Sequence, residues 1–312
     1  MKYYFGIDVG GTYIKAGIID EKCDILFTKK IKTTPDEPNF LANSIIKIIN
    51  LLLEENKIKA KDVLGIGVGL PGLIDSKNGV LGFSGNLKLK NYPLKSELEK
   101  VFDIPIKIAN DADVATLAEM HFGAGQKTDN FAMLTIGTGI GGGVVMGGRL
   151  ISDHSDYAGE VGHMKITDKK IKCTCGEFGC FETLASTKAL VRETKLAMKK
   201  HPESLMWQTY DLNTVTGKTV FEYINSDETA RQVFDKFIKN LGDGIVNLVN
   251  IFKPGLILLG GAVSSQRSKL TAPLEEYVNN HIYARHAGFK VKIKTATLAN
   301  DAGILGCRCL FD

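Results

Sequence analysis

The chain has 312 residues, 44% of them hydrophobic and 24% charged, an ordinary globular composition with enough length for two domains and a substantial core. Its net charge of +4 sits on scattered lysines, so neither a nucleic-acid patch nor a membrane patch is implied. The best apolar run, around 245–262, is broken by Lys253-Pro254 and falls short of a membrane span.

The opening MKYYFGIDVGG reads as a strand rather than a signal peptide, and a cytoplasmic protein is expected. Residues 3–9, 13–19 and 24–31 are β-like with short turns between them, a meander. A helix is expected over 39–57, where Leu41, Ile45, Ile48, Ile49, Leu52 and Leu53 keep helical spacing. Strands at 64–69 and 105–109 and helices near 94–102 and 112–121 complete a first unit. The pattern then restarts with a hairpin, 131–136 and 143–146, and a short strand at 149–151. Helices near 183–200, 218–225 and 228–252, a strand at 256–259, another helix, a strand at 289–296 and a last helix at 300–310 follow. An offset of 127 residues lays Asp8-Val-Gly10-Gly11-Thr12 on Thr135-Ile-Gly137-Thr138-Gly139, a thin identity that suggests duplication. Two α/β domains facing a cleft are the expected architecture.

Between His163 and Glu182 lie Cys173, Cys175 and Cys180, with Gly176 and Gly179 among them. Three thiolates and an imidazole make a closed tetrahedral Zn²⁺ site, which orders a loop and leaves no position for a catalytic water. Glu160 and Glu182 flank the segment, so the metal is expected to shape a polar binding surface. Cys23, Cys307 and Cys309 form no evident disulfide framework.

Two stretches satisfy G-x-G-x-x-G, at Gly137–Gly142 and Gly67–Gly72. A dinucleotide site needs a helix directly afterwards; here the first is followed by strand-like GVVMGGRLI and the second by LIDSKNG, read as a loop. Gly217-Lys218-Thr219 resembles the end of a Walker loop, but Leu212 replaces its first glycine, and the Thr-Gly is expected to cap the next helix. The hairpin turns Gly10-Gly11-Thr12 and Gly137-Thr138-Gly139 offer backbone N–H groups and a hydroxyl to a phosphate. Either alone is equally a plain turn; two in one chain point to nucleotide binding. Asp8 is suited to Mg²⁺, directly or through water, and Lys15 joins the phosphate set. Gly260-Gly261, between a strand and a helix, is either a tight turn or a place for an adenine ring. Asn110-Asp111-Ala-Asp113 ends a strand and opens a helix, where an aspartate can serve as a cap or point into a cleft.

Together D-V-G-G-T at 8–12, N-D-A-D at 110–113, T-I-G-T-G-I-G-G-G at 135–143, E-x-G-H at 160–163 and C-x-C-G-x-x-G-C-x-E at 173–182 resemble the ROK family of sugar kinases and sugar-responsive repressors. The resemblance covers essentially the whole chain. It implies the α/β actin-like ATPase fold, hexokinase-like or ribonuclease-H-like domains duplicated around a hinged cleft. The implied domains are 1–117 plus 298–312, and 118–297 with the zinc knuckle. By motif, Asp111 matches the catalytic base, and Gly72, Asn86, Asn110, Glu160, His163 and Glu182 match sugar contacts. His163 would serve both the metal and the sugar. Repressor members carry a DNA-binding domain ahead of the first hairpin; only seven residues precede Asp8, and none is expected here. The implied activity is transfer of the γ-phosphoryl of ATP, with Mg²⁺, to the 6-hydroxyl of a hexose. Glucose is the leading substrate and N-acetylmannosamine or another N-acyl hexosamine the runner-up, with a fructose-specific kinase behind them. A sugar-sensing regulator without turnover is the alternative of a different class. Relatives suggest a homodimer or a dimer of dimers.

Overall fold

A computed structural model describes residues 1–34, 39–153 and 157–312. The chain divides into two compact units, Met1–Lys127 with Leu150–Ala158 and Thr297–Asp312, and Thr128–Arg149 with Gly159–Ala296. Both units mix strands and helices, an α/β fold.

In the first unit β1 (Tyr3–Val9), β2 (Tyr13–Asp20) and β3 (Ile25–Lys32) form the expected meander, followed by α1 (Phe40–Glu55) and β4 (Val63–Leu70). Next come β5 (Leu73–Asp75), β6 (Val80–Ser84), β7 (Leu89–Tyr92), α2 (Leu94–Glu99), β8 (Ile106–Asn110) and α3 (Asp111–Phe122). The second unit holds β9 (Phe131–Ile136), β10 (Ile140–Met146) and α4 (Glu182–Ala185) to α7: α5 (Thr187–Lys200), α6 (Thr219–Tyr223) and α7 (Glu228–Phe252). It continues with β12 (Leu256–Gly260), α8 (Ser268–His281) and β13 (Lys292–Thr295), while β11 (Arg149–Leu150) lies at its edge and α9 (Ala302–Cys309) returns to the first unit.

The thin internal identity is matched by topology. The main sheets run β3-β2-β1-β4-β8 and β11-β10-β9-β12-β13. In each, the hairpin is antiparallel and the next strands join in parallel. Asp8 lies opposite Gly69 across β1/β4, and Thr135 opposite Gly260 across β9/β12. Asp8 and Thr135, aligned by the offset of 127, thus sit alike against the parallel neighbour, while their hairpin pairings differ by one residue, Asp8 opposite Lys15 and Thr135 opposite Gly141.

β4 reads V-L-G-I-G-V-G-L, large and small residues alternating along the period-two geometry of a strand. Its large face, Ile66, Val68 and Leu70, joins Phe5, Ile7 and Val9 of β1 and Leu41, Ile45, Ile48 and Ile49 of α1 in one fully buried cluster. The opposite face is a glycine stripe that lets α9 approach backbone to backbone. A Cβ at Gly6 would lie 2.2 Å from the Ile304 carbonyl oxygen, one at Gly67 2.2 Å from that of Cys307, and one at Gly306 1.8 Å from that of Val114 on α3. Gly67 is therefore a packing glycine. Gly67→Ala should lower unfolding stability by about 1–3 kcal/mol through forced displacement of α9, read as a lower urea midpoint at unchanged m-value; an unchanged midpoint would contradict this packing.

Several elements depart from expectation. The stretch after Gly72, read as a loop, opens a separate three-stranded sheet β5-β6-β7; its strands are too short and polar to show period-two patterning. The single helix expected at 183–200 is two, because the Ser186 hydroxyl accepts from Ala189 N–H (3.1 Å) and starts a new helix. The strand expected over 289–296 is confined to Lys292–Thr295. Among the described residues, no helix is long and apolar enough to cross a membrane.

Candidate active site

In the first unit the junction of β8 and α3 fixes the acid pair. The helix cap is Asn110, not an aspartate. Its Oδ1 accepts from the N–H groups of Ala112 (2.8 Å) and Asp113 (3.3 Å), while its Nδ2 donates to the carbonyl of Gly72 (3.0 Å). One amide side chain thus starts α3 and fastens the Gly72 turn to it. Asp111, the first residue of α3, accepts from Ala112 N–H at 2.9 Å. Asp113 is buried. Asn86 lies exposed in the turn after β6, which Leu87 N–H closes onto Ser84 Oγ (3.3 Å).

The first hairpin is held by Gly10 N–H to Tyr13 carbonyl (2.8 Å) and by Thr33, whose hydroxyl donates to Gly10 carbonyl (2.9 Å). In the second, Gly137 N–H donates to Gly139 carbonyl (3.0 Å). The N–H groups of Gly10 and Gly137, expected to be available to a phosphate, instead close their own turns. Asp8 stands 3.8 Å from Lys15 Nζ. Burial pushes its carboxyl above the usual range, against the opposing pull of Lys15, an environment that a divalent cation would relieve.

In the second unit Gly260-Gly261 closes against the second hairpin. A Cβ at Gly261 would lie 2.3 Å from the carbonyl of Ile136, and its φ of +84° lies in the region that favours glycine. Thr187, which the sequence reading passed over, ties the hairpin to α5. Its N–H donates to Gly137 carbonyl (2.9 Å) and its hydroxyl to Ile136 carbonyl (3.3 Å). Only its place directly after the Ser186 cap marked it. The Thr216-Gly217 pair does not cap α6 in the expected way: Lys218 is the cap residue and uses no side chain, its own N–H donating to Thr216 Oγ1 (3.2 Å).

His163, Cys173, Cys175 and Cys180 converge, their ligand atoms all within 4.8 Å of one another. Short bridges at Lys165–Cys180 and Lys172–Phe178 fold the segment back on itself. Cys175 Sγ is 3.8 Å from Cys180 Sγ, and His163 Nδ1 is 3.6 Å from Cys173 Sγ. Tetrahedral Zn²⁺ with bonds of about 2.3 Å to sulfur and 2.0–2.1 Å to nitrogen needs ligand separations of about 3.8 and 3.6 Å. The donor set fits such an ion. Cys23, Cys307 and Cys309 stand apart as free thiols; on α9, Cys307 Sγ donates to Ile7 carbonyl (3.3 Å) and Cys309 Sγ to Leu305 carbonyl (3.5 Å).

Both flanking carboxylates reach this cluster. Glu160 Oε2 lies 3.9 Å from His163 Nε2, the ring nitrogen remote from Cys173. Its carboxyl is raised by burial first and by Glu182 as well, with His163 opposing. Glu182, at the start of α4, accepts from Cys173 Sγ (2.9 Å) on one oxygen and from Ile140 N–H (3.4 Å) on the other. One carboxylate therefore links the cysteine cluster to the glycine hairpin. With a cation on its sulfur Cys173 is a thiolate and no longer a donor, which leaves that oxygen of Glu182 for another hydroxyl.

The ROK family pattern matches residues 4–312. The chain belongs to the ROK family. It is 34% identical over 309 residues to a glucokinase of Halalkalibacterium halodurans, covering 98% of this chain and 93% of that protein. It is 29% identical to a xylose repressor of Caldicellulosiruptor bescii, covering 97% of this chain and 76% of the repressor. Among solved structures, a ROK family glucokinase from Streptomyces griseus in complex with glucose and AMPPNP superposes with a TM-score of 0.86 at 30% identity, over 99% of this chain and 98% of that one. The family thus brings kinases and repressors alike to this chain.

Proposed function

We propose that the protein is an ATP-dependent hexose kinase that phosphorylates the 6-hydroxyl of glucose. The observation that carries this reading is the joining of Glu160, His163 and Glu182 to one Cys₃His cluster that adjoins a glycine hairpin. Carboxylates suit a hexose because each accepts from neighbouring hydroxyls. The S. griseus enzyme, bound to glucose and an ATP analogue and similar over the whole chain, supports the same reading.

In this account Asp111 hydrogen-bonds the attacking hydroxyl and takes its proton as the bond to phosphorus forms. Asn110 fixes where Asp111 begins its helix, and with Gly72, Asn86, Glu160, His163 and Glu182 it binds the sugar. The loose transition state of phosphoryl transfer needs little basicity, so positioning and charge stabilisation dominate. Gly10, Gly11, Thr12, Lys15, Gly137, Thr138 and Gly139 border the phosphates, and Gly260-Gly261 the adenine. Asp8 would hold Mg²⁺, which offsets phosphate charge. Zn²⁺ on His163, Cys173, Cys175 and Cys180 would fix the imidazole so that its other nitrogen keeps its partner, the usual service of a closed site to a neighbouring pocket. Exclusion of water from the bound substrates would limit ATP hydrolysis.

A coupled ADP-release assay with ATP and a panel of glucose, mannose, fructose, xylose, N-acetylglucosamine and N-acetylmannosamine tests the proposal. Glucose should give the highest kcat/KM. A higher value for an N-acyl hexosamine would move the substrate to that class. Sugar binding without sugar-stimulated ADP release would leave the reading of a sugar-sensing regulator, the role of the repressor relatives.

A further inference from the structure

Glu119, in the last turn of α3, is fully buried, and its carboxylate meets no lysine or arginine among its hydrogen-bond partners. Instead it collects donors from two distant stretches of chain. Oε2 accepts from Ala124 N–H (2.7 Å) and from the Thr297 hydroxyl (3.1 Å). Oε1 accepts from the N–H groups of Thr297 and Leu298, both at 2.7 Å. The Glu119 carbonyl adds Gly123 N–H (3.1 Å) and Gly125 N–H (2.9 Å). A buried carboxylate is tolerated only when its lone pairs are filled in this way, and loss of that filling is strongly felt.

The two stretches adjoin two of the four places where the chain passes between its units. It leaves the first unit after Lys127 and returns at Thr297; the other crossings lie at 149/150 and 158/159. Ala124 stands just before the first passage, and Thr297 and Leu298 begin the second. Glu119 shares its helix with Asp111, eight residues earlier. Gly123 admits the carboxylate to this corner, since a Cβ there would lie 2.1 Å from Oε2.

We infer that Glu119 is a positioning residue: a buried clasp that ties the outgoing and returning passages to the helix that carries Asp111, so that both bend as one hinge when a sugar is enclosed. The inference rests on the kinase reading for its consequence and on geometry alone for the clasp. A neutral amide at this position keeps the shape but turns an NH₂ toward backbone donors.

Hydrogen exchange of Glu119→Gln, compared with the unaltered protein without ligands, tests the clasp whether or not phosphate is transferred. Amides of 124–127 and of 297–301 should both exchange about tenfold faster or more, while β1 and β4 keep their protection. Kinetics test the hinge: KM for the sugar should rise about fivefold or more and the ratio of ATP hydrolysis to sugar phosphorylation should rise with it, while KM for ATP stays within about twofold. Thr297→Val, which removes one donor and keeps the backbone, should shift the same quantities less, and replaces the first variant should that fail to fold. Loosening of only one passage, or of neither, would overturn the clasp. Loosening of both with an unchanged sugar KM and hydrolysis ratio would overturn its role as a hinge. An unaltered protein that transfers no phosphate would refute the kinase reading instead.

Discussion

Asp111→Asn should lower kcat for sugar phosphorylation by about 10²–10⁴-fold, the usual contribution of a positioned base. The asparagine keeps an oxygen for the Ala112 N–H bond that Asp111 makes at 2.9 Å, and the cap on α3 belongs to Asn110. The fold and the start of the helix are thus preserved while the proton acceptor is removed. Sugar affinity, measured by calorimetry, should change by no more than a few fold. Loss of affinity in proportion to turnover would mean that Asp111 binds rather than catalyses. Near-normal kcat would remove it from the chemistry altogether.

Cys175→Ser should release the bound metal and raise the sugar KM by about tenfold to a hundredfold, the usual penalty for losing a group that orients a site. The ATP KM should be affected much less. The reason lies in the second unit's connectivity. Cys173 shares the Cys₃His cluster and contacts Glu182, His163 contributes one ring nitrogen, and Glu160 lies 3.9 Å from the other. Without the ion the loop 163–182 loses its cross-link, and the three proposed sugar contacts lose their common support together. The metal content of the purified protein, by elemental analysis, should approach one zinc per chain in the native sequence. A zinc-free variant with unchanged sugar KM would show that the cluster serves stability alone.

Much of this arrangement was legible from short-range patterns. The meander, the long amphipathic α7 and the paired glycine hairpins follow from period and turn chemistry, and the Cys₃His cluster from spacing. What escaped has a common physical character: it depends on atoms brought together from afar. Gly67 and Gly69 of β4 satisfied a phosphate-binding pattern by coincidence, but Gly67 admits the α9 backbone, more than 200 residues away in sequence, and Gly69 faces Val114 of α3. The sequence leaves open which polar residue caps α3, because which of three neighbours turns back onto the helix depends on the Gly72 carbonyl that engages the Asn110 amide. The strands β5 to β7 are brief and half polar, and their pairing is fixed only by one another. Nothing in its local sequence sets Glu119 apart from other helix carboxylates. Its six donor contacts come largely from loops whose course no local pattern discloses.

The most direct test of the central claim is transfer of the labelled γ-phosphoryl of ATP to glucose, followed by phosphorus NMR of the product. The account predicts glucose 6-phosphate as the labelled product, formed by the unaltered protein and nearly absent with Asp111→Asn. Glucose bound tightly yet recovered unphosphorylated, with ATP intact or released only as inorganic phosphate, would contradict it.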